Sequence, residues 1–288
     1  MAALLVMVPQ ASFTNDGTIN LTSSGNFGAD LNLTSGTITN NGELNFQAGL
    51  PGSSSIRNLT SDLDNRGTLT VDNGVTANFD KTSGVYDNNG RIVLDGPASR
   101  LDIVRGTLTN LRDGTIAGTG FVDLLNGTGS LQNSGTLMPG LSPGELTING
   151  DVINDSLATL SFEIGGTVAG LSHDLLTITN GDLTLGGAAL ELFIIDSFVP
   201  DAADFFDIAT AVNVLGTFGN LDLNNRVQTA DNLGTFLVSF VDGDTVRLSD
   251  LQALNVGNNN DVPETPTLIL MLLGLAVVMR AARRRATA

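Results

Sequence analysis

A glycine-centred phrase returns six times in the first half of the chain, as NDGTINL, NNGELNF, NRGTLTV, NNGRIVL, RDGTIAG and NSGTLMP. Its glycines are Gly17, Gly42, Gly67, Gly90, Gly114 and Gly135, spaced 25, 25, 23, 24 and 21 residues apart. A period of this kind demands a repeat architecture, because one unit cannot bury its own apolar side and must stack on its neighbours. Within each phrase polar and apolar residues alternate, which fits a strand with Leu, Ile, Val or Phe facing inward. The Asn and Gly at its head supply a turn, since both tolerate positive φ. Stretches such as ADLNLTSGTIT and LDIVRGTLTNL add strands for the other sides of a coil. About 24 residues make one turn of a parallel β-helix with two or three short strands, and six such turns rise roughly 29 Å.

Helical readings fail on the same pattern, because the apolar spacing is two, Gly and Asn recur at even intervals, and Thr and Val are abundant. Leucine-rich repeats share the period, but their spaced leucines and helical half are missing. The remaining rival is a β-sandwich of hairpins, since NNG and DNG are also hairpin turns. The expected fold is therefore all-β: a parallel β-helix over 12–150, a further β-rich part over 151–251 that continues or caps it, and a polar linker at 252–262. A C-terminal transmembrane helix completes it, with a β-sandwich as the alternative for the first half.

Charge is unevenly placed. Residues 1–261 carry 29 acids against 9 bases, whereas Arg280, Arg283, Arg284 and Arg285 crowd the last nine positions. A body so acidic repels phosphate backbones, which argues against a nucleic-acid partner. The chain has no Cys, so disulfides and thiolate metal sites are excluded. From Leu268 to Met279 every residue is apolar or Gly, including Leu270, Leu272, Leu273, Gly274, Leu275, Val277 and Val278. A helix apolar on all sides calls for lipid or a deep core. Twelve residues at about 1.5 Å each fall short of roughly 30 Å of hydrocarbon. The arginine block just beyond nevertheless reads as a cytoplasmic flank, which puts the body on the outer side.

The order Pro263-Glu264-Thr265-Pro266, short apolar run, arginine cluster resembles the PEP-CTERM sorting signal. Pro263 and Glu264 match its first two motif positions, Thr265 stands in the third, and proline follows at Pro266. The resemblance covers about 25 residues of the C-terminal 263–288. It implies an exported protein of a Gram-negative bacterium, held at the inner membrane by its tail and processed by an exosortase. Such proteins are commonly linked to exopolysaccharide and biofilm, so the destination it implies is the cell surface or the extracellular space. The N-terminal stretch MAALLVMVPQAS has an apolar run from Ala2 to Val8 without a preceding Lys or Arg. Residues 1–11 thus read as the end of a signal peptide whose first part is missing, with a first core strand as the other reading.

The second half carries another resemblance. The turn Pro139, Gly140, Leu141, Ser142, Pro143, Gly144 and the stretches through Leu223 are similar to the C-terminal region of autotransporter passengers. That similarity implies β-solenoid coils and an extracellular setting. Only 65 residues follow Leu223 and the last 27 are tail, too few for the barrel of about a dozen strands found in that family.

Catalytic constellations are thin. Parallel β-helices that cut polysaccharides use paired carboxylates with Arg, His or calcium. This chain shows no adjacent Asp pair, and its one histidine, His173, reads as a polar turn residue before a strand starting at Leu175. Asp62, Asp64, Asn65 and Gly67 begin like an EF-hand loop, but Arg66 occupies a ligand position and no Glu closes it. Asp242 and Asp244 read as a hairpin turn. No metal, cofactor or catalytic residue is assigned, and with no Trp and only Tyr86 no glycan site is assigned either. The sequence points to a structural or adhesive surface protein and not an enzyme, whose partners are an exosortase-like enzyme, the inner membrane, and exopolysaccharide or further copies of itself. The alternative is a β-helical enzyme acting on polysaccharide.

Overall fold

The structure, a computed structural model, describes residues 11–25, 28–52 and 55–254. The sorting motif Pro263, Glu264 and Pro266, the apolar run 268–279 and the arginine cluster Arg280, Arg283, Arg284 and Arg285 lie outside the described residues, as do residues 1–10. The chain divides into a compact unit ending at Leu251 and a second unit, 252–288. Among the described residues no helix is long and apolar enough to cross a membrane.

The first unit is an all-β parallel solenoid; a sandwich is ruled out because its stacked strands pair in parallel. Its one helical element among the described residues is a single 3-10 turn, Leu125–Gly127. Each coil visits three faces in turn. Phe13–Asn15 opens the first face, and its rungs continue through Ala29–Asn40, Ile56–Asn65, Val85–Asn88, Thr107–Asn110, Ser130–Asn133 and Asp151–Asn154. Thr18–Leu21, Glu43–Phe46 and Thr68–Asp72 begin the second face. The third uses Thr76–Phe79, Glu145–Asn149 and Leu175–Thr179. Four long strands turn a corner and serve two faces each; in Thr115–Leu124 the register shifts between Thr119 and Phe121.

Parity decides what lies inside. On the first face Ile38, Leu63, Tyr86, Leu108, Leu131 and Val152 stand in register, and on the second Leu44, Leu69, Ile92, Ile116, Leu137 and Leu160 do the same. All are buried. Burying each such side chain contributes roughly 1.5–3 kcal/mol, so the stack is held by columns and not by any one contact. Phe79 packs 5.9 Å from Phe46 and 4.9 Å from Tyr86, ring centre to ring centre.

Beside the apolar columns runs a polar one. Asn15, Asn40, Asn65, Asn88, Asn110, Asn133 and Asn154 are all buried. Each of the first six donates its side-chain amide to the carbonyl of the next, at 2.7 or 2.8 Å. The spacings are 25, 25, 23, 22, 23 and 21 residues, which count six coils. Asn154 ends the series on the Thr184 carbonyl, 2.8 Å away. A second amide hydrogen reaches a backbone carbonyl of the second face, as from Asn65 to Arg91 at 3.2 Å and Asn88 to Thr115 at 3.1 Å. The ladder thus also gives these corner carbonyls a side-chain donor.

The phrase glycines are not there for positive φ, contrary to the expectation from sequence. None of Gly17, Gly42, Gly67, Gly90, Gly114 and Gly135 has a positive φ; from Gly42 onward they are needed for close approach. A Cβ on Gly42, Gly67 or Gly90 would lie 2.0, 2.1 or 2.2 Å from the carbonyl oxygen of the glycine one coil earlier. The corner is narrow because the amide after each glycine bonds that same oxygen, as Thr68 does to Gly42 at 2.9 Å.

Beyond Asn154 the coils lengthen. Bonds from Asp182 to Asp151 and from Asn213 to Asp182 span 31 residues each. The parallel stack runs on through Leu183–Thr184 to Val214–Leu215. Its end is closed in the opposite sense: Thr245–Ala253 pairs antiparallel with Phe205–Thr210, and Arg226–Gln228 with Gly234–Val241. Covering the last parallel strand removes an edge that would template pairing with another chain. Arg247 locks the cover with two bonds to Asp207, at 2.6 and 2.8 Å, while lying 4.1 Å over the Phe205 ring.

Besides the ladder, Arg57 and Ser61 are inward residues that depart from the apolar rule. Arg57 occupies an inward position between Ala29 and Ala77 and is fully buried. Its guanidinium donates to the carbonyls of Leu21, Gln47 and Ile56 at 2.6–3.1 Å, tying three coils together, and burial lowers its pKa against the pull of Asp72. Ser61 is also fully buried, and its hydroxyl has no hydrogen-bond partner. Ser61→Ala is therefore expected to stabilise the protein by about 1 kcal/mol in denaturant unfolding, because it removes an uncompensated desolvation penalty. A clear loss of stability would mean that the hydroxyl holds something in place.

Candidate functional surface

With the core residues fixed by parity, the outward residues of each rung form columns of their own. On the second face Thr18, Glu43, Thr68, Arg91, Thr115, Thr136 and Thr159 succeed one another in register. The third face carries Asp30, Asn58, Asn78, Asp102, Asp123, Asn149 and Thr179. Several neighbours are bonded: Asn58 donates to Asp30 at 2.5 Å, Asn78 to Asn58 at 3.1 Å and Asn149 to Asp123 at 3.0 Å.

This registration does what the linear sequence hides: it pairs acids. Asp64 faces Asp87, Asp72 faces Asp95, and Asp102 faces Asp123 on adjacent rungs. The sequence shows no adjacent Asp pair, yet the period makes three. Asp102 and Asp123 come nearest to a catalytic constellation. Arg100 sits between them, its Nε 2.6 Å from Asp102 and its Nη2 2.7 Å from Asp123, with its guanidinium 4.4 Å over the Phe121 ring. Burial raises the Asp102 pKa, aided by the Asp123 charge and opposed by Arg100. Burial likewise raises Asp87, aided by the charge of Asp64. Both Asp123 oxygens are engaged, one by Arg100 and the other by Asn149. The arrangement neutralises a like-charge pair and braces two coils.

The EF-hand-like stretch is a strand, and its alternation disperses the would-be ligands. Asp62 points outward to Lys81 at 2.5 Å, Asp64 pairs with Arg66 at 2.7 Å, and Asn65 turns inward to the ladder. Among the described residues no three His, Asp or Glu side chains gather as a metal would require. A depression of about 210 Å³ lies at the corner between the third and first faces, lined by Gly106, Thr107, Thr128, Ser130 and Asp151 among others. One acid is present there, so it offers no acid–base pair. Asp242 and Asp244 lie in the turn between Gly234–Val241 and Thr245–Ala253.

His173 departs most from expectation. The strand after it does begin at Leu175, but the ring is no exposed turn residue: it is 1% exposed. Its Nδ1 lies 2.9 Å from the Gly166 carbonyl and its Nε2 3.2 Å from the Asp207 carbonyl, with Phe206 edge-on at 5.4 Å. Asp174 beside it is also buried and receives the amides of Gly144 and Glu163, both at 2.8 Å. It thereby holds the Pro139–Gly144 turn singled out in the sequence. Burial pushes the Asp174 carboxyl up to about 7, with the Glu163 charge adding to it and the two amides opposing it.

Known protein families and curated proteins give no match to this chain.

Proposed function

We propose that the protein is an exported surface protein with a structural or adhesive role. On this reading the tail 263–288 holds it at the inner membrane of a Gram-negative bacterium, and an exosortase-like enzyme processes it on its way to the surface. One observation carries the reading: Pro263-Glu264, an apolar run and an arginine cluster follow in that order after the repeat unit ending at Leu251. The run is favourable in a bilayer, and the arginines stay on the cytoplasmic side because moving them across is costly. The repeat unit suits the role, since its outward columns of Thr, Asn and Asp can meet glycan hydroxyls or another copy of the chain. A second reading, an enzyme acting on polysaccharide, is favoured by the Asp102–Asp123 pair alone.

Replacing Pro263 and Glu264 by Ala is expected to leave the protein exported but full-length in the membrane fraction, whereas removing 268–288 should release it to the periplasm. Fractionation with mass spectrometry of both chain ends reads the outcome. Surface delivery of both variants at the parent's level would sink the sorting proposal. Depolymerisation of polysaccharide by the purified protein, abolished in Asp102→Asn, would put the second reading first.

A further inference from the structure

The leading outward column of the second face runs Thr18, Glu43, Thr68, Arg91, Thr115 over its first five rungs, so its two charges fall one rung to either side of Thr68. The column beside it, Asn20, Asn45, Thr70, Val93 and Ala117, carries no charge. Of the nine bases among the described residues, Arg66, Lys81, Arg100, Arg105, Arg226 and Arg247 are tied into ion pairs within the chain. Arg91 is exposed and enters no ion pair among the described residues. Glu43 is exposed as well, and its carboxylate accepts the Thr18 hydroxyl at 3.1 Å. We propose that the second face is the contact surface for another copy of this chain, packed antiparallel about a two-fold axis that runs along the Thr68 rung.

Charge fixes that geometry. A two-fold axis parallel to the strands keeps each column opposite itself and reverses the order of the rungs, so Glu43 of each copy meets Arg91 of the other, and Thr18 meets Thr115. Packing the copies in parallel sets Glu43 on Glu43 and Arg91 on Arg91, and an axis on any other rung leaves the charges unmatched. Between the charges the contact is made by threonines, whose branched side chains have little rotamer freedom to lose. Asp72 ends the axis rung and is the acid set against its own copy; its carboxylate already accepts the Ala48 amide at 3.0 Å. Five rungs offer roughly 300 Å² a side, against about 800 Å² in a stable interface, so the contact is weak singly and counts where copies are crowded at a surface. The proposal deepens the structural role given to the repeat unit and uses nothing of the tail, so it fails separately from the sorting reading.

The chain has no cysteine, so single introduced thiols report the geometry without background. Full-length protein in detergent micelles carrying Thr68→Cys, on the axis, is expected to crosslink to itself through a bismaleimide spanning about 10 Å, the spacing of packed sheets. Thr136→Cys, on the same column but beyond the five paired rungs, is the reference, and Thr68→Cys should react about tenfold faster or more. Thr18→Cys and Thr115→Cys should crosslink to each other and neither to itself. In the Thr68→Cys protein, Glu43→Arg should bring the product down to the Thr136→Cys level. Adding Arg91→Glu should restore it, because reversing both charges rebuilds both pairs. Equal products from Thr68→Cys and Thr136→Cys would overturn the proposal: association through the tail gives that result at high yield, and a face that serves glycan instead gives it at background. A Thr68→Cys product that Glu43→Arg leaves unchanged, or that Arg91→Glu fails to rescue, would overturn it too.

Discussion

Asn88→Ala is expected to cost about 3–5 kcal/mol in denaturant unfolding of the full chain. The residue is fully buried in the middle of the ladder, accepting from Asn65 and donating to Asn110, both at 2.7 Å. Alanine leaves the Asn110 carbonyl and the Thr115 backbone carbonyl without this donor, takes the acceptor from Asn65, and opens a void. Each buried group left unsatisfied costs about 1–3 kcal/mol, and the cavity adds to that. Asn20→Ala is the matched control. Its side chain pairs with Asn45 at 2.9 Å on an exposed face, where water replaces the lost bond, so a change within about 0.5 kcal/mol is expected. Equal costs for the two substitutions would mean that the ladder is decoration and the apolar columns alone hold the coils.

Gly67→Ala is expected to destabilise by about 3 kcal/mol or more without adding a polar or charged atom. The new Cβ would lie 2.1 Å from the Gly42 oxygen and 2.7 Å from the Asn41 carbonyl carbon, both backbone atoms. Neither can retreat, since Gly67 donates to the Asn40 carbonyl at 2.7 Å and Thr68 to that of Gly42 at 2.9 Å. Relief therefore requires two coils to part, breaking register bonds on both adjoining faces. The same change at Gly17, where a Cβ would meet nothing within 4 Å, should be nearly neutral. Comparing the two separates the close-approach account from a conformational one, because neither glycine has a positive φ. A similar small effect at both sites would defeat it.

The solenoid was legible because alternation and period are properties of a linear string, and both survive without knowledge of contacts. Arg57 was legible in principle: counting back by twos from the inward Leu63 and Leu59 lands on it, and puts Ile56 outside. The ladder was half-visible. Five of its asparagines stand two places before a phrase glycine, but Asn110 stands four places before Gly114 and Asn154 has no glycine after it. Those two are found only by following the 21–25 residue spacing of the asparagines themselves. The acid pairs were not legible, because Asp102 and Asp123 become neighbours only once the register is known to the residue. His173 was misjudged for a related reason: its second contact, Asp207, lies across a coil whose length of about 31 residues breaks the earlier period. The role of the phrase glycines was missed because sequence reports which residue tolerates unusual φ, not where two backbones nearly touch.

The direction of the ladder has a consequence beyond satisfying hydrogen bonds. In all six links the amide of the earlier asparagine points to the carbonyl of the later one, so seven side-chain dipoles align along the stack. Aligned amides polarise one another, and their partial charges survive only at the ends. The row acts as an internal electret: its oxygen end, negative, lies at Asn15 in the first described coil, and its positive end at Asn154. A β-structure has little net dipole from its strands. Here the asparagines supply one, buried, and oriented by nothing more than the order in which the coils are laid down.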